Sequence, residues 1–198
     1  MNVPSTRPSR RLEDRFDIQN VIYRWARLVD RKEWALASSV FHPEAYDEHG
    51  MYRGNVEGLL SWMQERHKII DQSMHHIGNI LIEFTGSNTA LVESYVIAYQ
   101  RYASGGKEGR ASRVAALGEQ LGKLDVPVDA VLNARYVDNF EKRGDEWRIL
   151  KRITVFEGRY LTVAEPGSAL DPAWVAAKRD ETDPILKARR DAGLAASS

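Results

Sequence analysis

Two side chains of this sequence have the types that make a proton-transferring base. Asp30 closes the run Tyr23-Arg24-Trp25-Ala26-Arg27-Leu28-Val29-Asp30, and His75 and His76 open an apolar run through Ile77, Ile80 and Ile82. A carboxylate that accepts from one imidazole nitrogen fixes the ring's tautomer and leaves the other nitrogen as a better base. Strand alternation sends one of His75 and His76 inward and the other outward. At helical spacing Phe16, Tyr23 and Asp30 share a stripe seven residues apart, a pattern suited to a pocket wall. A plainer reading stands beside it. Asp30-Arg31-Lys32-Glu33 has the spacing of a capping box, so Asp30 is equally suited to capping the next helix, and the histidines to an ordinary core or rim.

A second group has polar-tipped aromatic side chains that suit a ring-bearing ligand: Tyr23, Tyr46, Trp62, Tyr95, Tyr99 and Tyr136. Arg135 lies inside an otherwise apolar strand, and Arg152 follows similarly. Facing a cavity, Arg135 would hold a phenolate or stabilise developing negative charge; facing solvent, it would pair with Glu141 or Asp138. His42, His49, His67, His75 and His76 show no metal-ligand spacing, so no metal site is expected. The glycines and lysine of Gly105-Gly106-Lys107-Glu108-Gly109-Arg110 are not in P-loop order. Lys187-Ala188-Arg189-Arg190 reads as a solvated helix face.

The elements that must position these groups follow from periodicity. Residues 1–10, with two prolines, read as a flexible arm. Leu12, Phe16, Ile18, Ile22, Trp25 and Val29 mark a helix to Asp30. A short helix is predicted over 32–40, ended by Phe41-His42-Pro43, then a short strand and turn over 44–53 and a third helix from Asn55 to Ile70. The period then changes to that of strands: 75–84 and 89–103 around Gly86-Ser87-Asn88, and 129–142 and 146–157 around Arg143-Gly144-Asp145. Residues 104–127 are an insertion between the hairpins, a candidate lid, with a short helix capped by Ser112. Residues 158–198 form a C-terminal extension with a helix from Pro172 to about Arg190. Helices followed by hairpins imply an α+β domain over 11–157, three helices packed on a strongly curved antiparallel sheet that leaves a cone-shaped cavity.

Composition excludes several classes. Twenty-eight basic and twenty-eight acidic residues balance, so no global field favours nucleic acid or an anionic membrane. Cysteine is absent, which removes disulfides, thiolate nucleophiles and cysteine-ligated metals. The first residues are polar and charged, with no apolar export core, and no apolar run approaches bilayer length. A cytoplasmic protein with no membrane or nucleic-acid partner is expected.

A first helix ending Val29-Asp30, a strand opening His75-x-x-x-Asn79, and the hairpin Arg135-Tyr136-Val137-Asp138-Asn139-Phe140…Trp147-Arg148-Ile149 resemble the SnoaL-like branch of the nuclear-transport-factor-2-like superfamily. Members include scytalone dehydratase, hexachlorocyclohexane dehydrochlorinase, bile-acid dehydratase, polyketide cyclases and sphingomonad lyases that remove a one-carbon unit from diaryl compounds. The resemblance spans about residues 11–157 and implies a cone-shaped barrel. It also implies an Asp on the first helix that orients a proton-abstracting His. Carried over, these are Asp30 and His75, with His76 as the fallback, and Asn79 matches the branch's strand asparagine. The dehydrochlorinase has a lysine where this chain has Trp25, which argues against halide loss and towards an aromatic or diaryl substrate.

The combined expectation is a cofactor-independent lyase, a homodimer or homotrimer, in which His75 is the general base and Asp30 its orienting partner. It would eliminate water or formaldehyde from a small aromatic alcohol, with Tyr23 or Arg135 as hydrogen-bond donor and Tyr46, Trp62, His76, Asn79 and Tyr99 as further pocket residues. An isomerase is a variant of this reading. Its rivals are a non-catalytic aromatic-binding protein and the small structural subunit of a ring-hydroxylating oxygenase.

Overall fold

Helix α1 (Pro8–Arg31) forms because Ile18, Val21, Ile22, Trp25, Leu28 and Val29 recur on one side, and all six are buried against the sheet. The computed structural model describes residues 8–105, 114, 116–165 and 170–194. The helix stops in a turn. Lys32 takes a left-handed backbone (φ 57°), and Glu33 N–H donates back to Leu28 O at 3.0 Å. The expected capping box does not form, because Arg27 holds the Glu33 carboxylate at 2.6 Å and the Asp30 side chain points elsewhere. The stripe of Phe16 and Tyr23 faces outward, the two side chains being 57% and 48% exposed, so it is not the wall of a central cavity.

A 3₁₀ turn (Trp34–Ser39) leads into β1 (Phe41–His49), which hairpins through Gly50 and Met51 into β2 (Tyr52–Asn55). Pro43 therefore lies within a strand rather than ending the preceding helix. Helix α2 (Val56–Arg66) starts at Asn55, whose Oδ1 accepts from Gly58 N–H at 3.0 Å, and a 3₁₀ turn (His67–Ile69) completes the third helical segment.

The sheet then runs through β3 (Ile70–Phe84), β4 (Thr89–Tyr102), β5 (Val128–Arg143) and β6 (Glu146–Val163), in the order β2-β1-β6-β5-β4-β3. All neighbours are antiparallel except β1 and β6, which are parallel, so the curved, unclosed sheet is mixed rather than wholly antiparallel. Helix α1 reaches β6 as well as β3, and Trp147 Nε1–H donates to Asp14 at 2.7 Å to join β6 to the first helix. In β3, Gly78 and Asn79 together oppose the single Tyr95, a bulge that reverses which side chains face the helices.

Between β4 and β5 the described part of the insertion holds a one-turn helix, α3 (Glu119–Gly122). The predicted Ser112 cap and residues 106–113 and 115 of the candidate lid lie outside the described residues, while Val114, Ala116 and Leu117 are helical, with Gly118 N–H donating to Val114 O at 2.9 Å. The tail departs from its predicted helix, since only α4 (Pro184–Asp191) forms. Before it, Asp171, Asp180 and Asp183 turn their carboxylates onto nearby backbone N–H groups at 2.8–3.1 Å, which competes with helical bonding.

The main core lies between α1, α2 and the inner sheet face, around Trp25, Leu59, Val92, Phe140, Trp147 and Ile149. A smaller cluster of Ile70, Tyr102, Ala116, Leu117 and Val128 packs under the insertion.

Candidate active site

The end of α1 and the start of β3 meet through one carboxylate. Asp30 Oδ1 accepts from Ser73 Oγ at 2.7 Å and lies 2.7 Å from His75 Nδ1, while Oδ2 accepts from His75 N–H at 2.7 Å. Burial alone would push the Asp30 carboxyl up. The hydrogen bonds and charge of His75, with Ser73, outweigh burial and hold it below the ordinary carboxylate range. An ionised carboxylate only accepts, so in the neutral ring the hydrogen of His75 sits on Nδ1 and the lone pair on Nε2. Nε2 makes no hydrogen bond to the described residues. This arrangement is chemically competent to accept a proton.

His75 lines a cavity of about 400 Å³ inside the sheet's curve. The apolar part of the wall includes Trp62, Val96, Ala98, Leu132, Ala134 and Phe156, large enough for a small aromatic molecule. Tyr136 lines the cavity too. Its hydroxyl accepts from Trp25 Nε1–H at 3.2 Å, and burial pushes the phenol up to about 12, so it stays a neutral donor. Beneath its ring lies the Arg152 guanidinium, paired bidentately with Asp138 at 2.7 Å for both contacts.

The residues anticipated from sequence distribute unevenly. Trp62 shares the cavity with His75. Tyr23 and His76 lie outside it, in a shallow groove on the other side of the Asp30–His75 contact. Tyr46 is exposed, and Asn79 is turned to solvent by the β3 bulge. Tyr99 and Arg135 are on the outer sheet face, opposite the cavity. Tyr99 donates to Asp129 at 2.8 Å, and Arg135 pairs with Glu93 and Glu157 rather than with Glu141 or Asp138. Arg135 therefore cannot reach an occupant of the cavity, because adjacent strand positions point to opposite faces.

Sequence reading weighed His49 and His67 only as metal ligands and passed over Gln100 and Thr154; all four line the cavity. His49 Nδ1 stands 3.1 Å from Thr154 Oγ1 and 3.5 Å from the fully buried Asp47 carboxylate. The alternation Asp47-x-His49 in a strand was the available signal. Nothing local marked His67. Among the described residues no cluster of His, Asp or Glu is arranged to hold a metal ion.

A family model described as a SnoaL-like domain matches residues 10–153. The chain belongs to the SnoaL-like family. Among curated protein sequences none matches significantly. Solved structures share the fold at low identity. A putative scytalone dehydratase from Novosphingobium aromaticivorans is 17% identical with TM-score 0.58, over 81% of this chain and 97% of that one. Hexachlorocyclohexane dehydrochlorinase LinA-type3 from Novosphingobium barchaimii is 20% identical with TM-score 0.61, over 82% and 97%. A protein of unknown function from Mycobacterium tuberculosis is 16% identical with TM-score 0.53, over 97% and 93%. In this SnoaL-like chain Trp25 is buried against Phe41 and His49, so the first helix presents an indole rather than a cation at that position.

Proposed function

We propose that this SnoaL-like protein is a cofactor-independent lyase that eliminates water or formaldehyde from a small aromatic alcohol. The observation that carries this reading is the 2.7 Å Asp30–His75 contact beside an apolar-walled cavity. His75 Nε2 removes a proton from the substrate, and Asp30 stabilises the imidazolium that results. For dehydration the proton leaves carbon, the C–O bond breaks, and the imidazolium returns the proton to the departing hydroxide. For formaldehyde loss it leaves the hydroxymethyl oxygen, the C–C bond breaks, and the carbanionic carbon takes up the proton. In this reading the donors to a substrate oxygen are Tyr136 and His49, which line the cavity with His75, in place of Tyr23 and Arg135.

The test is incubation of purified protein with lignin-derived diaryl and phenylpropanoid alcohols, followed by mass spectrometry. A product lighter by one water or one formaldehyde is expected, and it should fall by ~10²–10⁴-fold with His75→Ala while circular dichroism is unchanged. Full turnover by a folded His75→Ala protein would sink the proposed base.

A further inference from the structure

The cavity has a second imidazole whose wiring is the reverse of the first. His67, in the 3₁₀ turn after α2, is 1% exposed and is among the residues that line the same cavity as His75. Its Nδ1 lies 2.7 Å from Nη2 of Arg179, contributed by the C-terminal extension. A guanidinium has only donors, so Nδ1 is the accepting nitrogen and the hydrogen of the neutral ring is on Nε2. Arg179 is itself fixed, donating to Val29 O at 2.7 Å, Asp30 O at 2.9 Å and Ile70 O at 2.6 Å. Burial, then the charges of Arg179 and Arg66, push the His67 imidazole down to about 2, so it stays neutral at working pH. Its Nε2–H is buried without an acceptor among the described residues. A buried N–H left so is destabilising unless something in the cavity takes its hydrogen.

We propose that His67 Nε2–H binds an acceptor oxygen on the cavity's occupant, and that Arg179 is the positioning residue that makes His67 a donor. Two neighbouring histidines then divide the work by partner type. Asp30 accepts and leaves His75 a base; Arg179 donates and leaves His67 a donor. The inference rests on the reading of the cavity as the substrate site and specifies its ligand, an aromatic molecule with a carbonyl or hydroxyl oxygen.

The experiment uses the full chain with isotope-labelled histidine and two probes of the same shape, acetophenone and α-methylstyrene, in which CH₂ replaces the carbonyl oxygen. The wild-type nitrogen spectrum is expected to show His67 as a non-titrating Nε2–H tautomer. Acetophenone should shift that resonance and α-methylstyrene should not. Acetophenone should also bind about tenfold tighter, a preference lost in His67→Phe. Arg179→Met should give a mixed tautomer at His67, which a purely structural role for Arg179 does not predict. His75→Ala should retain the oxygen preference, so failure of the lyase reading and failure of this one are separable. An Nδ1–H tautomer in wild type overturns the proposal without any variant. So does the lack of an oxygen-dependent preference, including no binding of either probe.

Discussion

Asp30 and Arg179 show how a partner's hydrogen-bonding type, rather than the imidazole itself, sets what a histidine can do. The same logic has a stability consequence at His67. Its folded value of about 2 lies below its ordinary 6.5, so under about pH 6.5 the unfolded chain takes up a proton that the folded chain refuses. The stabilising contribution is complete above pH 6.5 and is lost as pH falls towards 2. Urea unfolding at pH 6.5 and pH 5 should show wild type losing roughly 2 kcal/mol more than His67→Gln over that interval. Asp30 acts in the same direction lower on the scale. Its folded value is under 3.8, so its contribution is present above that pH and is lost as pH falls through the depressed value.

At the scale of elements, the end of α1, the 3₁₀ turn after α2 and the start of β3 are gathered by one side chain from the C-terminal extension. Arg179 satisfies the carbonyls of Val29 and Asp30, which the helix end leaves without partners, together with that of Ile70. Arg31 adds an ion pair to Asp183 at 3.3 Å. Replacing Arg179 by Ala strands these carbonyls and frees the His67 ring, a cost of about 2–4 kcal/mol by chemical denaturation. The extension was legible in the sequence as a tail with a helix, but not as a clamp. A lone arginine in a turn has no local pattern to announce what it reaches, and its partners are more than a hundred residues away.

Across the whole molecule, the inner sheet face holds a charged pair inside an apolar core. Arg152 and Asp138 are fully buried, and the guanidinium sits among the rings of Trp25, Phe41 and Tyr136. Burial alone would lower the guanidinium's proton affinity, and the Asp138 charge more than restores it. Arg152→Met would leave Asp138 buried without its counter-charge. The expected loss is about 3–5 kcal/mol in an unfolding titration, large for a single substitution. The pair lies under Tyr136, so it also supports the cavity from behind.

Periodicity alone determined the elements: a 3.6-residue repeat from Ile18 to Val29, then a two-residue repeat through four long strands. Periodicity did not single out Asp30 and His75, since a cap and a core or rim histidine explain them as well; the resemblance carried by Val29-Asp30 and His75-x-x-x-Asn79 paired them. Which sheet face would be the inner one was a tertiary decision. On β4, Tyr95, Ile97 and Tyr99 are as apolar as Val96, Ala98 and Gln100, so alternation says which residues share a face but not which face α1 covers. That choice put Tyr99 and Arg135 outside the cavity and Tyr136 inside it. The bulge at Gly78–Asn79 and the arrival of Arg179 beside His67 were likewise decided by packing, because each depends on contacts between segments that are remote along the chain.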